Sequence, residues 1–145
     1  MTQCQFKKLE IQDLPRLNHF LKQHKEAKAS KGDLNYWLTN EQGIIACARL
    51  LHTENEDVFW LRGVYVDVRY RKQGLGSQLI NAIHATLSPK QRIIAFPLGH
   101  LQTFYGQLGY KDIEPERLPE NLQQRFTNAE KQNKQWLCMA FNLNY

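Results

Sequence analysis

The chain has 145 residues, of which 42% are apolar and 23% charged, and its formal net charge is +5. That length suits one domain, residues 1–145, whose core needs no disulfide or metal staple. The three cysteines, Cys4, Cys47 and Cys138, are widely spaced and odd in number. They exclude a disulfide framework and a cysteine-based metal site, and they fit a reducing cytoplasm. No apolar run nears the ~20 residues that span a bilayer, and the N-terminus lacks a signal-peptide core. A cytoplasmic protein with no membrane partner is therefore expected. The basic residues are scattered apart from Arg69, Arg71 and Lys72, so nucleic acid is not expected as a main partner.

Phe6–Ile11 reads as a first strand. Asp13 suits an N-cap and Pro15 a first turn, opening a helix that buries Leu14, Leu17, Phe20 and Leu21. His24–Asp33 is polar and lysine-rich: a solvated helix end and loop, or a mobile loop over a binding site. Asn35–Thr39, Ile44–His52 and Val58–Val68 follow as an antiparallel meander, joined by the turns Asn40–Gly43 and Thr53–Asp57. A helix over Gly74–Leu87 leads to Ser88-Pro89-Lys90, which breaks the chain before a buried strand, Arg92–Phe96. A strand–helix–strand unit of this kind implies parallel pairing through a right-handed crossover. His100–Leu108 reads as a short helix capped by Gly109, residues 111–134 as a polar segment with a helix at Glu120–Gln132, and Gln135–Leu143 as a last strand. The fold class is mixed α/β (α+β): a six- to seven-stranded sheet with an antiparallel N-terminal meander and flanking helices.

The chemistry concentrates after the third strand of the meander. Val64, Val66 and Val68 alternate with Tyr65 and Asp67, as a strand requires, whereas Leu75, Leu79, Ile80, Ile83 and Leu87 fall at a helical period. Between them lies Arg71-Lys72-Gln73-Gly74-Leu75-Gly76-Ser77. Two glycines let backbone N–H groups approach a ligand, and a helix N-terminus carries partial positive charge, so the turn suits a phosphate or pyrophosphate. A dinucleotide fingerprint would need a third glycine on the first strand–helix unit, and a Walker A loop would need Gly-Lys-Ser/Thr. Both are absent.

A second signal lies downstream, Phe104-Tyr105-Gly106-Gln107-Leu108-Gly109-Tyr110. With Arg71-x-x-Gly74-x-Gly76 before it and a short strand between, the chain resembles the GNAT acetyltransferase superfamily. The resemblance implies acetyl-CoA as acyl donor, with no metal. It implies that Arg71, Lys72, Gln73, Gly74, Leu75, Gly76 and Ser77 bind its pyrophosphate, and that the backbone of Val64, Tyr65 and Val66 pairs with pantetheine on a strand splayed from its neighbour. Tyr105 becomes the general acid for the leaving thiolate.

The general base is less marked. The strand Arg92–Phe96 holds no acid, and Pro97-Leu98-Gly99-His100 stands where relatives often carry an asparagine. His100 is a candidate base or cofactor contact, since its ordinary pKa lies near neutrality, or else a structural helix start. Glu54, Glu56, Asp57 and Asp67 are the acids that remain to act through water. The implied reaction is direct acetyl transfer to an amine of a small molecule or protein. The alternative is a non-catalytic acyl-CoA-binding or regulatory domain, and a homodimer is compatible with either. The acceptor has no signature.

Overall fold

The computed structural model describes residues 3–142. Among the described residues seven strands form one mixed sheet: β1 (Gln5–Lys8), β2 (Leu34–Asn40), β3 (Gly43–His52), β4 (Val58–Val66), β5 (Arg92–Ala95), β6 (Tyr110–Asp112) and β7 (Met139–Phe141), in the order β1-β2-β3-β4-β5-β7-β6. The helices are α1 (Leu14–Gln23), α2 (Leu75–His84), α3 (Gln102–Gln107) and α4 (Glu120–Lys131). By contact the chain divides into two compact units. One holds the chain up to Leu51 together with Arg62–Thr86, and the other His52–Leu61 together with the chain from Leu87 onward.

In the first unit, β1 and β2 pair antiparallel with Phe6 opposite Leu38, and β2 and β3 pair antiparallel with Trp37 opposite Cys47. Helix α1 has Pro15 in its first turn as the sequence predicts, but Asp13 precedes it with no side-chain hydrogen bond to the helix. Asp13 accepts a hydrogen bond from the Glu10 N–H at 2.9 Å and an ion pair from Lys7 at 2.8 Å. Leu17, Phe20 and Leu21, at helical spacing, are buried with Ala29, Trp37, Ile44 and Cys47. Burying such side chains stabilises by about 1.5–3 kcal/mol each. The end of α1 is a Schellman motif: the Glu26 N–H donates to the Leu21 carbonyl (2.8 Å) and the Lys25 N–H to Lys22 (3.2 Å), with Lys25 left-handed at φ 58°. His24 is thereby the C-cap residue. The polar segment beyond it is tied back. The Asn18 amide both accepts from the Ala29 N–H (2.8 Å) and donates to its carbonyl (3.1 Å).

In the second unit, β4 and β5 run parallel over Val58–Trp60 and Arg92–Ile94, as the crossover rule requires. Strand β7 lies antiparallel between β5 and β6. Phe96 gathers the rings of Trp60, Phe126 and Trp136 within 5.2–5.7 Å.

Several elements depart from the sequence reading. The first strand stops at Lys8, and Ile11 lies in a 3-10 turn, 71% exposed. The expected strand to Val68 ends at Val66, because Asp67 accepts from the Arg69 N–H and turns the chain, leaving Val68 65% exposed. The helix predicted over His100–Leu108 is a 3-10 turn, Gly99–Leu101, followed by α3. Strand β6 went unread inside a polar segment, and the last strand is confined to Met139–Phe141 within the described residues, Leu143 lying outside them.

Candidate active site

The end of β4 is shaped by Gly63, left-handed at φ 64°, where an added Cβ would come within 2.6 Å of Arg49 Nη1. A lone glycine in a strand is the sequence signal for such a kink, and the sequence reading passed over it. The parallel ladder to β5 runs to Trp60 and Ile94, whereas β4 continues to Val66. Val64, Tyr65 and Val66 are half-buried there. Asp67 closes the strand, its N–H donating to the Ile45 carbonyl at 2.8 Å.

The turn then reverses direction using left-handed residues, Lys72 at φ 66° and Gly74 at φ 75°. An added Cβ on Gly74 would meet nothing within 4 Å, so its glycine answers to backbone conformation and not to crowding. Gly74 is the N-cap of α2, and its carbonyl accepts from the Gln78 N–H at 3.0 Å. The first-turn residues Leu75, Gly76 and Ser77 have no side-chain cap from Gly74. Their N–H groups sit at the positive end of a 10-residue helix. Arg71, Lys72, Gln73 and Gly74 are exposed around them. Arg71 is held back toward β4, its Nε donating to the Val66 carbonyl at 2.9 Å and its guanidinium 5.4 Å from the Tyr65 ring centre. Charge and backbone donors in this turn suit a phosphate.

Tyr105 and His100 belong to the second unit. Tyr105, on α3, is 7% exposed and packs edge-on against Phe104 (5.1 Å) and Tyr110 (5.3 Å). Burial pushes its phenol above the ordinary value, so it keeps its proton at neutral pH. Gly109 ends this motif left-handed at φ 97°, and an added Cβ would press on Phe141 Cε1 at 3.1 Å. His100 is exposed in the 3-10 turn before α3. Of the turn acids, Glu54 is engaged in accepting from the Asn121 N–H at 3.0 Å at the start of α4.

Of the aromatic residues on the meander, Tyr36, Trp37, Phe59 and Trp60 are core, and Tyr65 alone is partly open. The fold brings His24 to it. His24 Nδ1 lies 3.0 Å from the Tyr65 hydroxyl and Nε2 3.8 Å from Asp67 Oδ2, with Phe20 against the ring at 4.3 Å. The Asp67 carboxylate is 1% exposed and is gripped by Arg69 through Nη2 (2.9 Å), Nε (3.3 Å) and the backbone N–H (3.0 Å). The Arg69 side chain, first among several causes, holds this carboxyl below the usual range, so it stays ionised.

Residues 32–112, more than half of the 145, match the family model of the acetyltransferase (GNAT) domain. The chain belongs to the GNAT acetyltransferase family. No curated protein matches this GNAT chain in sequence. Among solved structures, N-acetylglutamate synthase from Neisseria gonorrhoeae, complexed with coenzyme A and N-acetyl-glutamate, is similar over 100% of the chain (TM-score 0.71, 14% identity). The chain spans 36% of that protein's length. Rv2747 from Mycobacterium tuberculosis, in complex with CoA, is similar over 97% of this chain and 99% of its own (TM-score 0.69, 15% identity). The ribosomal-protein-S18-alanine N-acetyltransferase from Escherichia coli matches over 99% and 100% (TM-score 0.64, 20% identity). The GNAT fold is common to all of them.

Proposed function

We propose that this protein is a cytoplasmic N-acetyltransferase that moves an acetyl group directly from acetyl-CoA to an amine of a small molecule or protein. The observation that carries this reading is the left-handed turn Arg71–Gly74 opening onto the first turn of α2, directly after β4. In it, Arg71, Lys72, Gln73, Gly74, Leu75, Gly76 and Ser77 take the pyrophosphate, mainly through backbone N–H groups, and the β4 backbone at Val64, Tyr65 and Val66 takes the pantetheine amides. An amine acceptor is supported by two fold neighbours, one named for N-acetylglutamate synthesis and one for acetylating an alanine of a ribosomal protein.

The step balances without a covalent enzyme intermediate. The amine nitrogen, freed of a proton, attacks the thioester carbon. The C–N bond forms, the C–S bond breaks, the leaving thiolate takes its proton from Tyr105, which burial keeps protonated, and the second proton that the nitrogen sheds on becoming an amide restores the phenol. His100 stands as a cofactor contact or base on this reading.

Thermal unfolding with excess acetyl-CoA tests the donor assignment. A ligand at 100 times its Kd stabilises by about 2.7 kcal/mol, roughly 5–10 °C in Tm for a chain of this size. No shift at millimolar acetyl-CoA contradicts the reading.

A further inference from the structure

Neither sequence motif supplied a base, yet the first unit holds a partly open imidazole between a phenol and a buried carboxylate. We propose that Tyr65, His24 and Asp67 form a proton relay that deprotonates the acceptor amine, an assignment that rests on β4 receiving the acyl donor.

The carboxylate beside the ring gives the direction of the one hydrogen bond in the triad, between Tyr65 and His24. Asp67 only accepts, so the relay has the His24 proton on Nε2, which faces Asp67 Oδ2 at an ion-pair distance of 3.8 Å, longer than a hydrogen bond. Nδ1 is then an acceptor, and the Tyr65 hydroxyl at 3.0 Å donates to it. The ring is fixed in that pose from three sides: Phe20 at 4.3 Å, Tyr65 at 5.2 Å, and the Schellman turn that makes His24 the C-cap of α1. The charged groups around it are Asp67, the Arg69 that grips Asp67, and the Arg71 guanidinium over Tyr65. The His24 side chain is 21% exposed, enough to return a proton to solvent.

In the step, a proton of the acceptor's ammonium passes to the Tyr65 oxygen as the Tyr65 hydroxyl proton passes to His24 Nδ1, leaving a neutral amine. His24 becomes an imidazolium facing Asp67, and the nitrogen lone pair is free for the thioester. Tyr65 is the catalytic residue; His24 acts through Tyr65, and Asp67 positions and stabilises His24, the division of roles found in a nucleophile–base–carboxylate triad.

His24→Asn keeps a polar group near the Tyr65 hydroxyl but binds no proton. It is expected to lower kcat/KM about 100-fold, the usual scale for lost general-base catalysis. Acetyl-CoA affinity is expected to be unchanged. Tyr65→Phe gives the same loss of rate. An unaltered rate in His24→Asn overturns the relay. Wild type that binds acetyl-CoA but acetylates no amine counts against the proposed function instead. Nitrogen NMR of the His24 ring needs no turnover and still decides the relay's geometry. Nδ1 unprotonated and hydrogen-bonded, with that bond lost in Tyr65→Phe, supports it, and an Nδ1–H tautomer overturns it.

Discussion

Tyr105 is the residue on which the proposed chemistry of the leaving group turns. Its burial against Phe104 and Tyr110 both positions the phenol and holds its pKa up. Tyr105→Phe keeps the packing and removes the proton. Steady-state release of CoA thiol is expected to fall about 100-fold in kcat, with acetyl-CoA affinity by calorimetry unchanged; full kcat at all pH values contradicts the acid role. Gly63 carries a prediction of a different kind. A Cβ there meets the tip of Arg49, which can swing away, so the lasting cost of Gly63→Ala is the left-handed backbone at φ 64°. Denaturation should show a loss of ~1–2 kcal/mol that adding Arg49→Ala does not restore. Recovery in the double variant would show that crowding, not conformation, requires the glycine. Gly63, Gly74 and Tyr105 were all open to reading from sequence, because each sits in a local pattern. His24 was not. Its partner Tyr65 is 41 positions away, and nothing local in a lysine-rich segment announces a contact across that distance.

The helices and longer strands were legible because period and punctuation agree over many residues. Helix α4 buries Leu122 and Phe126 as its spacing implies, and the β2–β3 hairpin turns just before Gly43. Of the short C-terminal strands, β7 was legible inside the longer expected strand Gln135–Leu143, whereas β6 was not, since it has three residues and takes its conformation from pairing with β7. Helix ends were the other blind spot. Both α1 and α4 finish on left-handed non-glycine residues, Lys25 at φ 58° and Asn133 at φ 60°, with matching hydrogen bonds back into the last turn. Asparagine tolerates that conformation; lysine does so at a cost. Lys25→Gly should therefore raise stability, by up to ~1 kcal/mol after the extra freedom of the unfolded chain is set against it. Urea midpoints at equal m-value measure this, and a loss of stability would mean that the Lys25 side chain contributes more than its backbone strain costs.

At the scale of the whole molecule, pH should act on the fold through a group outside the proposed chemistry. Burial pushes the His84 imidazole down to about 4 from its ordinary 6.5. Below 6.5 the unfolded chain takes up a proton that the folded chain refuses until about 4, so stability falls as pH drops through that window. The loss is of order 1–3 kcal/mol. Asp67 and Asp13, both shifted downward, act lower: their contribution is present above the ordinary carboxylate value of 3.8 and fades as pH falls through their folded values. Urea unfolding at pH 7 and pH 5 should show the His84 slope in wild type and its disappearance in His84→Gln; an equal slope in both would mean that another group titrates there. Family membership was within reach of the sequence, because the two motifs are local and carry their own geometry. The acceptor was not, because its contacts are made by side chains that only the folded chain assembles.

The central claim is acetyl transfer from acetyl-CoA to an amine nitrogen. Free CoA released from acetyl-CoA in the presence of a panel of amino acids, polyamines and peptide N-termini, with products identified by mass spectrometry, tests it most directly. At least one amine should accelerate release and emerge N-acetylated, with the rate lost in Tyr105→Phe. Stabilisation by acetyl-CoA with no acceleration by any amine would contradict it and leave an acyl-CoA-binding domain without transferase activity.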